Sequence, residues 1–156
     1  MSKYAENTSV SVENSRSEIE RVLQRYGADS FGYAWDQGRA VVQFVHEGRQ
    51  IRFVLPLPDK SDPAFTLTPS RKYSRTDADA YKAWEQACRQ KWRALALAIK
   101  AKLEAVEAGI TSFEDEFMSH IVLPDGSSFG DWARPQIAEV YENNAMPGLL
   151  QLGAGS

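Results

Sequence analysis

Two histidines, one cysteine and a short acidic run are the side chains in this chain whose types could support catalysis or metal binding, and their spacing argues against both. His46 and His120 lie far apart, and neither has a second His or a Cys at ligand spacing. His46 reads as a polar residue at a strand end. His120 follows Glu116 by four residues, so a carboxylate–imidazole pair would form if the intervening segment is helical. Such a pair is more often structural than catalytic. Glu114-Asp115-Glu116 could attract a cation, but three successive helical residues fan out over about 200° and do not converge. The run fits a solvated helix N-terminus, where carboxylates complement the helix dipole. Cys88 falls in an apolar stripe, which makes it an inert core thiol. Phosphate-loop and dinucleotide fingerprints are missing from the sequence. The expectation is therefore a protein without catalytic residues, metal or cofactor.

The remaining chemistry is electrostatic. The formal charge of −3 hides a strong asymmetry: Met1–Leu67 carries −1, Thr68–Leu103 carries +6 and Glu104–Ser156 carries −8. Placed at 100° per residue, Lys82, Arg89, Arg93 and Lys100 fall within about 40° of one another on a helix. They form a basic ridge about 27 Å long, flanking the apolar stripe. Arg71, Lys72 and Arg75 lie just upstream. Seven cations on a ridge and an adjoining loop could track several phosphates of DNA. The competing reading is a solvated helix edge paired with the acidic C-terminal third. A second candidate is the triplet Phe31, Tyr33, Trp35, whose alternation puts three rings on one face of a strand, as in sheets that stack on single-stranded bases. The plainer account is that these rings form the core face of the sheet.

The elements that would hold these residues can be read along the chain. At 156 residues, 43% apolar and 25% charged, it has the size and composition of one globular domain with a real core. Met1–Val12 is polar, lacks the apolar run of a signal peptide and reads as an arm or short edge strand. The lone cysteine points to a reducing, cytoplasmic setting, and no segment has the apolar length needed to span a membrane. Ser15-Arg16-Ser17-Glu18 has the form of a capping box opening a helix that Gly27 ends. Three alternating runs follow, around Phe31–Trp35, Val42–Phe44 and Ile51–Leu55, with turns at Asp36-Gln37-Gly38 and Glu47-Gly48. They predict an antiparallel meander that ends at Pro56 and Pro58. Residues 59–75 read as a mobile loop.

From a cap at Thr76 or Asp77, the residues Tyr81, Trp84, Cys88, Trp92, Leu95, Ile99, Leu103 and Val106 step by three or four up to Gly109. This predicts a helix of roughly 30 residues and 45 Å, long enough that part of its face could meet another copy in a homo-oligomer. A short helix with Phe113 and Phe117 inward opens at Thr111-Ser112-Phe113-Glu114, and Ile121–Leu123 reads as a short fourth strand. A last helix spans about Phe129–Glu142, with Trp132, Ile137, Val140 and Tyr141 as its apolar contacts; 146–156 reads as a tail anchored by Leu149 and Leu150. The expected fold is α+β: an N-terminal helix, a three-stranded antiparallel meander, a long central helix and two short C-terminal helices. Its order of helix, three strands and helix is similar to that of double-stranded-RNA-binding domains. Thr76-Asp77-Ala78-Asp79 is acidic where those domains carry a basic signature, and that likeness is set aside.

A broader likeness rests on Tyr4-Ala5-Glu6-Asn7-Thr8, on Trp92-Arg93-Ala94-Leu95-Ala96-Leu97 with Lys100-Ala101-Lys102-Leu103-Glu104-Ala105-Val106, on His120-Ile121-Val122-Leu123-Pro124-Asp125-Gly126 and on Met146-Pro147. In these segments the chain resembles a family of small uncharacterised proteins of tailed phages and prophages. The resemblance implies an accessory role in the bacterial host cell, among early-region genes for DNA replication, recombination or counter-defence. It carries no site residues. Two functional expectations follow: a DNA-binding accessory protein using the basic ridge, or an inhibitor of a host defence factor whose acidic C-terminal third mimics nucleic acid.

Overall fold

The computed structural model describes residues 5–146, so the tail with its Leu149 and Leu150 anchors lies outside the described residues. Helix α1 (Val12–Arg25) is followed by strands β1 (Ser30–Asp36), β2 (Arg39–His46) and β3 (Arg49–Pro56). Then come the short helix α2 (Pro63–Thr66), the long helix α3 (Asp77–Glu107), α4 (Phe113–Phe117), a 3₁₀ turn (Met118–His120) and α5 (Phe129–Asn143). The chain is an α+β protein with a three-stranded antiparallel sheet in the order β1-β2-β3.

The register explains which face is buried. Phe31, Tyr33 and Trp35 of β1 stand opposite Phe44, Val42 and Ala40 of β2, and those in turn stand opposite Ile51, Phe53 and Leu55 of β3. Directly paired residues share a face. That face meets Ile19, Val22 and Leu23 of α1 and Trp92, Leu95, Ala96, Ile99 and Leu103 of α3 to form one core, closed at one end by Phe113 and Phe117. Both hairpins use two-residue turns, Gln37-Gly38 and Glu47-Gly48, with all four residues at positive φ. This geometry matches the twist of the strands and is easiest for glycine at the second position.

Several expectations shift. The N-cap of α1 is Ser11, which accepts from the Asn14 amide at 3.1 Å. The capping box at Ser15 is therefore not used: Ser15 lies inside the helix, fully buried, with its hydroxyl unpartnered, and Glu18 points away to α3. The N-terminal arm forms no strand among the described residues and is instead pinned to α3. Gln86 Nε2 donates to Thr8 O at 2.9 Å, Gln90 Nε2 donates to Glu6 O, and Ala5 is buried.

Residues 59–75 contain α2, capped by Asp62, and a bridge between Leu67 and Ser74. Trp84 holds the start of this segment by donating from Nε1 to Pro58 O at 2.8 Å. Ile121–Leu123 contributes only isolated bridges, Ile51 to Ile121 and Val122 to Ser128, where a short strand was expected. The largest departure is α5, which buries none of its side chains. Trp132, Ile137 and Tyr141, expected as inward contacts, are exposed. Only its first turn is held: Phe129 N donates to Ile121 O, and Gly130 lies so close that an added Cβ would come within 2.9 Å of Ser119 O. Pro135 stands seventh in the helix, beyond its first turn, and its missing N–H leaves an exposed turn one bond short.

Candidate nucleic-acid interface

Helix α3 brings the basic residues to one side, and its periodicity explains how. Thr76 caps it by accepting from the Asp79 amide at 3.2 Å, and Ala108 with Gly109 at positive φ ends it. The apolar stripe from Cys88 to Leu103 is buried against the sheet, which turns the Lys82–Lys100 ridge to the helix flank. The N-terminal part of α3 overhangs the core. Tyr81 is 50% exposed there, and Lys60 Nζ lies 4.3 Å from the centroid of the Trp84 ring. Such a cation–aromatic contact holds the loop against the helix without neutralising the charge.

The ridge is not uniform. Arg93 is ion-paired with Glu18 of α1, and both side chains are about three-quarters buried. Arg89 keeps its charge but is fixed by two hydrogen bonds to Gln86 Oε1, at 2.9 and 2.6 Å. Lys82 and Lys100 are exposed at the two ends. Arg71 and Lys72 are exposed at the tip of the loop leading into α3, where Arg71 takes a positive φ of 58°. The Arg75 amide donates to Thr66 O at 2.8 Å, and its side chain lines an open groove between α2 and α3 that also includes Lys91. None of Arg71, Lys72, Arg75, Lys82, Arg89 and Lys100 has an ion-pair partner among the described residues. Tyr73, which the sequence pattern did not single out, stands 70% exposed between the loop cations.

Among the described residues, no acidic side chain of the C-terminal third pairs with this ridge. Glu116 pairs with Lys102 at 3.3 Å, and Glu114 pairs with Arg49 at 3.3 Å. Lys102 lies about 160° around α3 from the ridge centre at 100° per residue. Among the described residues, the one ridge cation with an ion-pair partner, Arg93, is matched by α1 instead.

The other candidates take structural places. His120 does not pair with Glu116. Its ring stacks on Phe53 with centroids 4.0 Å apart, and burial, reinforced by Lys102, holds its pKa below the ordinary imidazole value. His46 Nδ1 lies 3.2 Å from Gly27 O, with its ring against Phe113. Burial pushes the Cys88 thiol up, away from the reactive thiolate. Among the described residues no three His, Cys, Asp or Glu side chains converge as metal ligands, and no helix is long and apolar enough to cross a membrane. The aromatic triplet divides: Phe31 packs on the core, Tyr33 meets Trp92 edge-on at 6.2 Å beneath Arg16, and Trp35 stands 75% exposed at the sheet edge. No family model, no curated protein and no solved structure matches this chain.

Proposed function

We propose that this chain is a non-enzymatic, phage-type accessory protein that binds DNA through its phosphate backbone, in replication or recombination. The observation that carries the reading is the group of cations without ion-pair partners at the overhanging end of α3: Arg71, Lys72, Arg75, Lys82 and Arg89, interleaved with the exposed rings of Tyr73 and Tyr81. Cations supply sequence-independent phosphate contacts, and exposed rings supply stacking for unpaired bases. Lys100, about 27 Å along the helix from Lys82, extends the track, while Arg93 contributes less because Glu18 neutralises it.

The test is fluorescence anisotropy of short single- and double-stranded oligonucleotides at two salt concentrations. The double variant Lys72→Glu with Lys82→Glu should lose most binding, with all sequences affected alike and an unchanged circular-dichroism spectrum. A folded wild type that binds neither oligonucleotide at low salt ends this reading.

A second reading, a protein-binding inhibitor of a host defence factor that mimics nucleic acid, is favoured by α5. That helix buries no side chain and carries Asp131, Glu139 and Glu142 beside exposed Trp132 and Tyr141. Reversing Glu139 and Glu142 to Lys would abolish capture of such a partner and leave DNA binding intact or stronger.

A further inference from the structure

Strand β1 is an edge of the sheet that stands open among the described residues. Its inner side pairs with β2, and among the described residues no segment lies along its outer side. The opposite edge is treated differently, since the Val122 amide donates to Gln50 O at 2.8 Å and Ile121 bridges Ile51.

The register determines which backbone groups of β1 stand free. Leu57 N donates to Gly38 O at 3.0 Å in line with the β2–β3 pairing, so Ala40, Val42 and Phe44 turn their N–H and C=O toward β3. The alternate residues Arg39, Val41, Gln43 and Val45 turn toward β1, where they face Asp36, Ala34, Gly32 and Ser30. Phe31, Tyr33 and Trp35 therefore direct their N–H and C=O outward. These same residues carry the large side chains, with Tyr33 and Trp35 exposed. No proline and no lysine interrupts Ser30–Asp36, although natural edges are commonly blunted by such residues.

We infer that β1 pairs antiparallel with β1 of a second copy about a two-fold axis at Tyr33, making one continuous six-stranded sheet. Ladder bonds form only where outward residues meet outward residues, and the register centred on Tyr33 is the one that uses all three on both strands. It sets Phe31 opposite the partner subunit's Trp35, and Tyr33 opposite the partner subunit's Tyr33. The exposed indole gains an aromatic neighbour at cross-strand distance. Gly32 and Ala34 oppose each other on the outer face, where nothing bulky obstructs the approach. Charge fits too: Asp36 falls opposite the partner subunit's Ser30, so no like charges meet. An isologous contact needs one self-complementary patch, and this strand is self-complementary in hydrogen bonding, ring placement and charge. Hydrogen-bonded pairs share a face, so the helical layers of both copies lie on the same side of the joined sheet. The contact is short, at the low end of stable interfaces, so the dimer should be concentration-dependent.

Sedimentation velocity from low to high micromolar concentration tests this. Wild type should move from monomer to dimer, while Trp35→Lys stays monomeric with an unchanged circular-dichroism spectrum and Trp35→Phe retains the dimer. A second measurement fixes the register: in a Cys88→Ser background, a short bismaleimide should cross-link Tyr33→Cys between copies and leave Arg52→Cys uncross-linked. Wild type that stays monomeric throughout, Trp35→Lys that dimerises as wild type does, or equal cross-linking at both positions would each overturn the proposal.

Discussion

Replacing Glu18 with Gln should weaken the fold and strengthen DNA binding at the same time. Glu18 and Arg93 bridge α1 and α3 with side chains 24% and 23% exposed. Exposed ion pairs contribute about 0–1 kcal/mol, whereas breaking a fully buried pair costs about 3–5 kcal/mol. The partial exposure here, with solvent able to reach the freed guanidinium, points to a loss of about 1–2 kcal/mol. For a domain of this size that lowers the melting temperature by about 2–8 °C, at about 2–4 °C per kcal/mol. The same change releases one cation into the middle of the ridge, which then runs from Lys82 through Arg93 to Lys100. One added phosphate contact steepens the dependence of log K on log salt by about 0.9 for duplex DNA. Thermal denaturation read by circular dichroism and anisotropy titrations at several salt concentrations measure the two effects on one preparation. An unchanged melting temperature would refute the stabilising role of the pair. A lowered melting temperature with an unchanged salt slope would refute the place of Arg93 in the DNA track.

Other outcomes follow from the packing. Leu95→Ala should cost about 2–5 kcal/mol, because Leu95 lies in the buried centre of the α3 stripe; an unaltered urea midpoint would contradict that stripe. Limited trypsin digestion should cut first after Arg71, Lys72 or Arg75, in the polar segment before α3, and first cleavage at Arg89 or Arg93 would contradict both assignments. His120 has a folded pKa below its ordinary value of 6.5, because burial and then Lys102 disfavour the charged ring. The folded state therefore binds fewer protons than the unfolded one. This contribution is complete above about pH 6.5 and is lost as the pH falls toward the folded pKa. The melting temperature should drop over that window in wild type and drop less in His120→Gln. Equal slopes in the two proteins would remove His120 from the account.

Periodic elements were legible in the sequence because burial imposes a period. The α3 stripe from Tyr81 to Val106 repeats at helical spacing over seven turns, and the observed helix spans Asp77–Glu107. The meander was legible from alternation and from two glycine turns. Local chemistry without a period was harder to read. Ser11 and Ser15 are both capping residues by type, and the box at Ser15 has the better local pattern. Tertiary packing chose Ser11, because starting the helix four residues earlier turns Glu18 to Arg93 while Ile19, Val22 and Leu23 still meet the core. Helix α5 misled for the opposite reason. Its apolar residues are spaced for burial, yet Trp132, Ile137 and Tyr141 stand exposed.

Geometry on one helix gave the candidate site its outline, but its charge depends on what stands opposite. The wheel position of Arg93 is indistinguishable from those of Lys82 and Lys100, and only the α1–α3 contact separates it from them. The acidic C-terminal third does meet α3, through Glu116 and Lys102, but on another face than the ridge, and its Glu114 meets Arg49 of β3. What remains at this end of α3 is a set of cations without ion-pair partners among the described residues. Lys82 and Arg89 share a face of α3 and repel one another, and Glu85, between them in sequence, forms no ion pair with either. Asp77 and Asp79 are close in sequence, yet they form no ion pair with these cations and sit in the first turn of α3, where the helix dipole already favours them. A polyanion would relieve that repulsion on binding and would release its own counterions, so the relief and the affinity arise from the same contacts.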